Sequence, residues 1–598
     1  MERFGSSTCP PSSPASTNAG RGNGWAKLRD GNSAVVARGS IRAPPIDGGG
    51  GDGHLQHFCN SGCKYHAAYV SIMDIDKICS QSSMARPKSQ GLNMHQAKSL
   101  LLATATALVA ACGAQAADMP VKAQPVQYVK ICSLYGDGFY YIPGTDTCLK
   151  LGGYLRVQAE YNMGNGGVAV GTNAIEDGQA RFTRDLTNDI NYRVRALTSW
   201  DVRQQTEYGV LRTYLRFGVE NNTPGGTGGG STPSPYWDRA FLQFAGFTVG
   251  RARSFFDLFT YWGTYTYTNV RINGDTDITG QNLWAYTADL GNGFSATLSL
   301  EDPAVRKAFT FDAMVPGFFG LNGAVVNDNG MTVNNAGAGF GFRVPDVVAN
   351  LRVDQAWGFA GVSVALHDAS GAYYGTANNV GNGHPEDTYG WAVATGAKFN
   401  LPGGDIVGVN FAYGVGATGF VANGTANAQM YNSSTSVGVG WLSDGVFTTG
   451  TAVELTRAWS ITAAYEHVWS PRWRTSWYGG YANIDYNGAA TGIINSALAA
   501  GSVCARPFAG LMGNLSAVTA LAGNSCNPDY SFFQVGSRTQ WNPVPRLDIG
   551  LDVTYTGLNT AYKGAAVYAA NGSRPAVALL DDQGVWSAMF RWQRNFYP

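Results

Sequence analysis

The sequence is short of charge. Of its 598 residues only 14% are Asp, Glu, Lys or Arg, against about 25% in an ordinary soluble domain. It is also short of long apolar runs. The one sustained run, 99–111, lies near the N-terminus and falls below the about 18 residues that a spanning helix needs, which argues against helical membrane spans. Histidine is sparse. After residue 116 only His367, His384 and His467 remain, in unrelated segments. His467 follows Glu466 on an extended stretch, so the two side chains point to opposite faces and cannot form a dyad there. No Gly-x-Ser-x-Gly elbow occurs, and the glycine-rich stretch 225–230 opens no helix that could cradle a phosphate. His54, His57, Cys59, Cys63 and His66 crowd together but lack a second pair at zinc spacing. These absences argue against a soluble enzyme, a metal site, a bound cofactor and a nucleic-acid partner.

Glycine (78 residues) and aromatic side chains (12%) are abundant, yet the mean hydropathy is −0.12. That combination suits strands whose two faces meet lipid and water in turn. From Cys148 onward, segments of 9–15 residues alternate. Leu151, Leu155, Val157 and Tyr161 oppose Tyr154, Arg156, Gln158 and Glu160; Trp586, Phe590 and Trp592 oppose Ser587, Arg591 and Gln593. Aromatics gather near strand ends and arginines sit mid-strand on the polar face, as in interfacial girdles around a wet interior. Tight turns such as Ala245-Gly246 and Asn292-Gly293 alternate with long connections such as 255–279, 304–344 and 487–527. The pattern predicts an all-β, antiparallel transmembrane barrel of about sixteen strands, wide enough to hold a water-filled channel.

The N-terminal region reads separately. Met94-His-Gln-Ala-Lys98, the apolar run 99–111 and Ala114-Gln-Ala116 form an export signal over 94–116. The mature chain is then expected to begin near Ala117. Residues 1–93 are expected to be a disordered extension or a mis-called start, 117–147 a periplasmic lead-in, and 148–598 the barrel. Residues 1–116 hold 11 basic and 6 acidic side chains; the remainder holds 30 and 35, a net of −5, and only six of those basic residues are Lys. Four cysteines follow the signal, and proximity pairs them as Cys132–Cys148 and Cys504–Cys526.

The segment Cys132–Arg156, with Asp118-Met-Pro-Val-Lys-Ala123 before it, Phe241–Gly250 and the ending Phe590-Arg-Trp-Gln-Arg-Asn-Phe596, resembles the general outer-membrane porins of alphaproteobacteria. The resemblance covers residues 94–598. It implies a sixteen-stranded barrel in the outer membrane, usually a homotrimer embedded in lipid, which passes small hydrophilic solutes. It also implies recognition by the barrel assembly machinery, although this chain ends Phe596-Tyr597-Pro598 rather than on an aromatic.

One connection stands out for function. Between Arg253 and Gln281 lie Phe255, Phe256, Phe259, Tyr261, Trp262, Tyr265 and Tyr267, followed by Asp275 and Asp277. So much apolar surface should pack, and the free surface in a wide barrel is its own inner wall. The expectation is an inward-folded constriction loop. Asp257, Asp275 and Asp277 would then face Arg156, Arg193, Arg195, Arg212, Arg216 and Arg239 of the first four strands, setting a transverse field. Two alternatives are a sugar-specific channel, with Tyr261, Trp262, Tyr265 and Tyr267 stacking on sugar rings, and an outer-membrane barrel enzyme.

Overall fold

A computed structural model describes residues 130–596, with breaks falling within 165–189, 224–232, 260–263, 269–279, 309, 314–342, 375–379, 423–435, 497–525 and 570–576. The expected signal peptide, the extension before it, Tyr261, Trp262, Asp275, Asp277 and Cys504 all lie outside the described residues.

Sixteen strands form one closed sheet: β1 Cys148–Tyr161, β2 Ile190–Thr206, β3 Gly209–Asn222, β4 Ser234–Phe244, β5 Phe247–Ala252, β6 Gln281–Gly291, β7 Phe294–Glu301 and β8 Asp346–Gln355, then β9 Gly358–Asp368, β10 Tyr389–Asn400, β11 Ile406–Val415, β12 Arg457–Ser470, β13 Trp473–Asp485, β14 Tyr530–Trp541, β15 Leu547–Asn559 and β16 Gln583–Asn595. Each pairs antiparallel with its sequence neighbours. The sheet closes where β1 pairs with both β2 and β16, so no edge is left open. No helix among the described residues is long and apolar enough to cross a membrane.

The period-two pattern decides which face is which. On β1, Leu155 and Val157 are 48% and 42% exposed, while Arg156 and Gln158 between them are 5% and 1% exposed. Trp284, Trp469 and Trp586 stand out on the exterior as well. The apolar face is thus turned outward and the polar face inward, the reverse of a soluble sandwich.

At one end the strands are joined by tight turns. Ala245 and Gly246 both have positive φ (49° and 86°), as do Asn292 and Gly293 (51° and 77°), the twist that suits two-residue hairpins. At the other end lie the long connections. Several carry structure of their own. Asn487 caps a helix, α1 Gly488–Ser496, by accepting from the Ala490 N–H at 2.8 Å. Thr310–Asp312 pairs in parallel with Gly445–Phe447, which ties two connections together.

Before β1, Tyr140–Tyr141 pairs back onto its first residues, and the expected Cys132–Cys148 disulfide closes this hairpin around buried Phe139.

Candidate functional site

The loop between β5 and β6 does fold into the barrel. Phe256, Phe259, Tyr265 and Tyr267 are all at most 4% exposed. Its first turn is held on β7 to β9: the Phe255 N–H donates to Glu301 Oε1 at 2.9 Å, and Asn350 Nδ2 donates to the Phe255 carbonyl at 3.1 Å. Phe259 lies near Phe359 of β9 and fills the space left by Gly408 of β11.

Farther along, the loop docks on β13 to β16. Asp552 of β15 accepts from Thr266 Oγ1 at 2.7 Å and from the Tyr267 N–H at 2.6 Å, and also from Tyr478 Oη at 2.6 Å. The Tyr267 ring has the Arg591 guanidinium 4.2 Å from its centroid and that of Arg538 5.1 Å away. Gly550 makes room for the Tyr267 hydroxyl. The loop then bridges back at Ile272, which pairs with Ala422 of the connection between β11 and β12.

Wall glycines on the inward face therefore act as sockets for loop side chains. A Cβ at Gly408 or Gly550 would overlap an aromatic ring, so only glycine admits this close approach.

The loop's acidic anchor differs from the expectation. Asp257 meets Arg306, not the arginines of the first four strands. Arg306 Nη2 contacts Asp257 Oδ1 at 2.5 Å, with both side chains 1% exposed. The Thr276 N–H donates to Asp257 at 2.8 Å. The Arg306 guanidinium lies 4.6 Å from the Phe420 ring centroid and donates to the Gly274 carbonyl. Arg306 comes from the connection after β7 and Phe420 from the one after β11, so two further long connections also reach inward beside the loop.

Tyr265 and Tyr267 are taken up by this packing. Tyr265 rests against Phe259 at 5.5 Å between ring centroids. Burial pushes its phenol well above the usual value, and the Glu466 carboxylate pushes the same way. Neither ring presents a free face of the kind that sugar stacking requires.

The arginines of the early strands lie on the inward wall, as their parity requires, and they pair along it. Glu220 of β3 takes both Arg193 (2.7 Å) and Arg195 (2.5 Å) of β2. Asp201 takes Arg203 (2.8 Å) and Arg212 (2.9 Å). Asp238 takes Arg216, and Arg239 donates to the Asp238 carbonyl at 2.8 Å. Arg156 donates to Gln593 of β16 at 2.7 Å.

The register sets like charges directly opposite: Arg156 faces Arg195, Arg203 faces Arg212, and Arg216 faces Arg239. Such pairs destabilise a sheet unless something offsets them. The sequence showed the arginines but not this juxtaposition, which needs the register.

Late strands supply inward charges that the sequence reading left out of the site, namely Glu466, Arg538, Asp552 and Arg591. Their signal was present in the same alternation. The interior is thus a polar, heavily paired lumen narrowed by a pinned loop, an arrangement suited to sieving solutes by size and charge.

Residues 118–588 match the sequence profile of the porin subfamily. The chain is 36% identical over 274 residues to porin Omp2b of Brucella suis, which covers 44% of this chain and 65% of that one. To porin Omp2b of Brucella neotomae it is 34% identical over 337 residues, covering 50% and 80%. Among solved structures, the outer membrane channel DcaP of Acinetobacter baumannii aligns over 76% of this chain and 99% of its own, with a TM-score of 0.47 and 13% identity.

Proposed function

Because the chain belongs to the porin subfamily, we propose that it forms a water-filled channel through the outer membrane, passing small hydrophilic solutes and ions by passive diffusion. On this reading the chain is exported by the signal at 94–116, inserted by the barrel assembly machinery, surrounded by lipid and assembled as a homotrimer. The observation that carries the reading is the inward loop: it is seated on β7 to β16, while the inward face of β1 to β4 carries six of the expected arginines.

Asp275 and Asp277 belong to the same loop and would add negative charge opposite that wall. In a constricted, partly dehydrated passage each would be worth kT or more to a passing ion. The test is single-channel conductance in a planar bilayer, with ion selectivity measured. Asp275→Asn with Asp277→Asn should shift permeability toward anions, and deletion of 260–278 should raise conductance. A purified, folded protein that conducts no ions, or that hydrolyses lipid or peptide, would overturn the proposal.

A further inference from the structure

We infer that the inward wall where β16, β1 and β2 meet holds a binding site for multivalent oxyanions of the phosphate type, centred on Arg156, Arg193 and Arg195. The inference rests on the channel reading, because the anion must reach the lumen.

Three observations carry it. First, the local charge is unbalanced. Among the described residues, Arg156, Arg193, Arg195 and Arg591 share this patch with the carboxylates of Glu160 and Glu220, an excess of two positive charges. All six side chains point inward by strand parity. Arg591 is tied in through Gln158, whose carbonyl oxygen accepts from Arg591 Nε at 3.2 Å and whose amide donates to Glu160.

Second, the fold places guanidinium against guanidinium where a sheet would ordinarily avoid it. Arg156 and Arg195 are register partners across β1 and β2, and like charges directly opposite are destabilising. One oxygen of Glu220 serves both Arg193 and Arg195. Among the described residues, Arg193 Nε is buried and finds no hydrogen-bond partner. A buried donor left unmade is costly, and an anion seated there would satisfy it.

Third, the guanidinium planes are backed by phenol rings. The Arg195 carbon lies 3.7 Å from the Tyr236 ring centroid, and the Arg156 carbon lies 4.6 Å from that of Tyr154. A ring on one face fixes the plane of each guanidinium. The Arg195 Nε and Nη2 already donate to Glu220 and the Arg156 Nε to Gln593, so an anion would share or displace those contacts. Forked, fixed guanidinium edges suit the paired oxygens of phosphate better than the single oxygen of a neutral sugar hydroxyl.

The experiment adds inorganic pyrophosphate to the native protein in a planar bilayer in dilute KCl. The expected result is a saturable fall in single-channel current. Arg156→Gln with Arg195→Gln should raise the half-blocking concentration about tenfold or more, the loss that follows when about 1.4 kcal/mol of binding is removed. The charge-keeping pair Arg156→Lys with Arg195→Lys should keep KCl selectivity yet weaken the block, since ammonium lacks the fork. Arg474→Gln removes a positive charge from β13, outside the patch, and should leave the block unchanged. A linear, non-saturating fall would overturn the site, as would a shift in Arg474→Gln equal to that of the double variant, because either means charge screening alone. If no variant conducts at all, the channel reading fails instead. Calorimetric titration of the detergent-solubilised native protein with pyrophosphate then decides the site by itself: saturable heat upholds it, and no heat overturns it.

Discussion

The two sides of the lumen solve the problem of buried charge differently. On the side of β7 to β16, the wall is covered by a loop. Its charges hold the loop, as in Asp257 with Arg306, and its glycines are cut away for aromatic rings. On the side of β1 to β4, arginines face arginines across the register and share too few carboxylates. The first arrangement ties its charges to the loop and seats aromatic rings in glycine sockets, which stabilises the fold. The second arrangement costs stability, and a wall that accepts such a cost is suited to work on something that passes it.

The comparison can be broken most sharply at Arg306 and Asp257. Removing one partner of a fully buried pair leaves the other charge uncompensated, at a cost of about 3–5 kcal/mol. Asp257→Asn should therefore lower the urea midpoint of the folded barrel and release the first half of the loop, seen as larger and noisier single-channel currents. A variant with native stability and native conductance would mean the loop is not held there.

The lead-in hairpin offers a control away from both walls. Cys132 and Cys148 close a loop of sequence separation 16, worth about 3 kcal/mol in the chain-entropy model. Cys132→Ser with Cys148→Ser should increase protease cleavage before β1 while leaving ion selectivity as it was. Altered selectivity would bring the hairpin into the pore.

A smaller effect is expected at Asp552. Asp552→Ala strips the acceptor from the Thr266 hydroxyl and the Tyr267 N–H, and orphaned buried donors cost about 1–3 kcal/mol each. The loop's far half should loosen, so conductance should rise and the urea midpoint should fall. Gly550→Val should produce the same phenotype by filling the socket of Tyr267. If neither variant changes conductance, the loop is pinned elsewhere.

The smallest effect belongs to the turn at Asp405, between β10 and β11. Its carboxyl is held down to about 2, first by the hydrogen bond from Tyr465, then by the Val468 N–H and His467. The Tyr465 hydroxyl donates at 2.6 Å and the Val468 N–H at 2.9 Å. A depressed carboxylate pKa stabilises fully above the unfolded value of about 3.9 and loses that stabilisation as pH falls through the folded value. Urea unfolding of Asp405→Asn against the native protein should show a constant deficit from pH 7 to pH 5 that shrinks toward pH 2. A deficit that persists unchanged at pH 2 would show that the carboxylate's charge is not the cause.

Much of this was written in local pattern. Alternation on each strand, tight turns at one end and long connections at the other are properties of short stretches, so the sixteen-stranded barrel could be read without a structure. The same holds for the inward face of Arg156, Arg193, Arg195, Arg212 and Arg216, because strand parity is a property of one residue and its neighbours. The aromatic content of 255–267 was likewise enough to send that loop inward, because apolar surface must be covered somewhere. The partners were not legible. Asp257 finds Arg306, 49 residues onward in another connection; Tyr267 finds Asp552, 285 residues away; Arg156 finds Arg195 only through the register of two strands. Each pairing is set by how strands align around a closed sheet, and that alignment minimises a free energy summed over the whole barrel. No window of sequence contains that sum, so the sequence determined the wall and its sidedness, and the tertiary structure alone decided which charges meet across it.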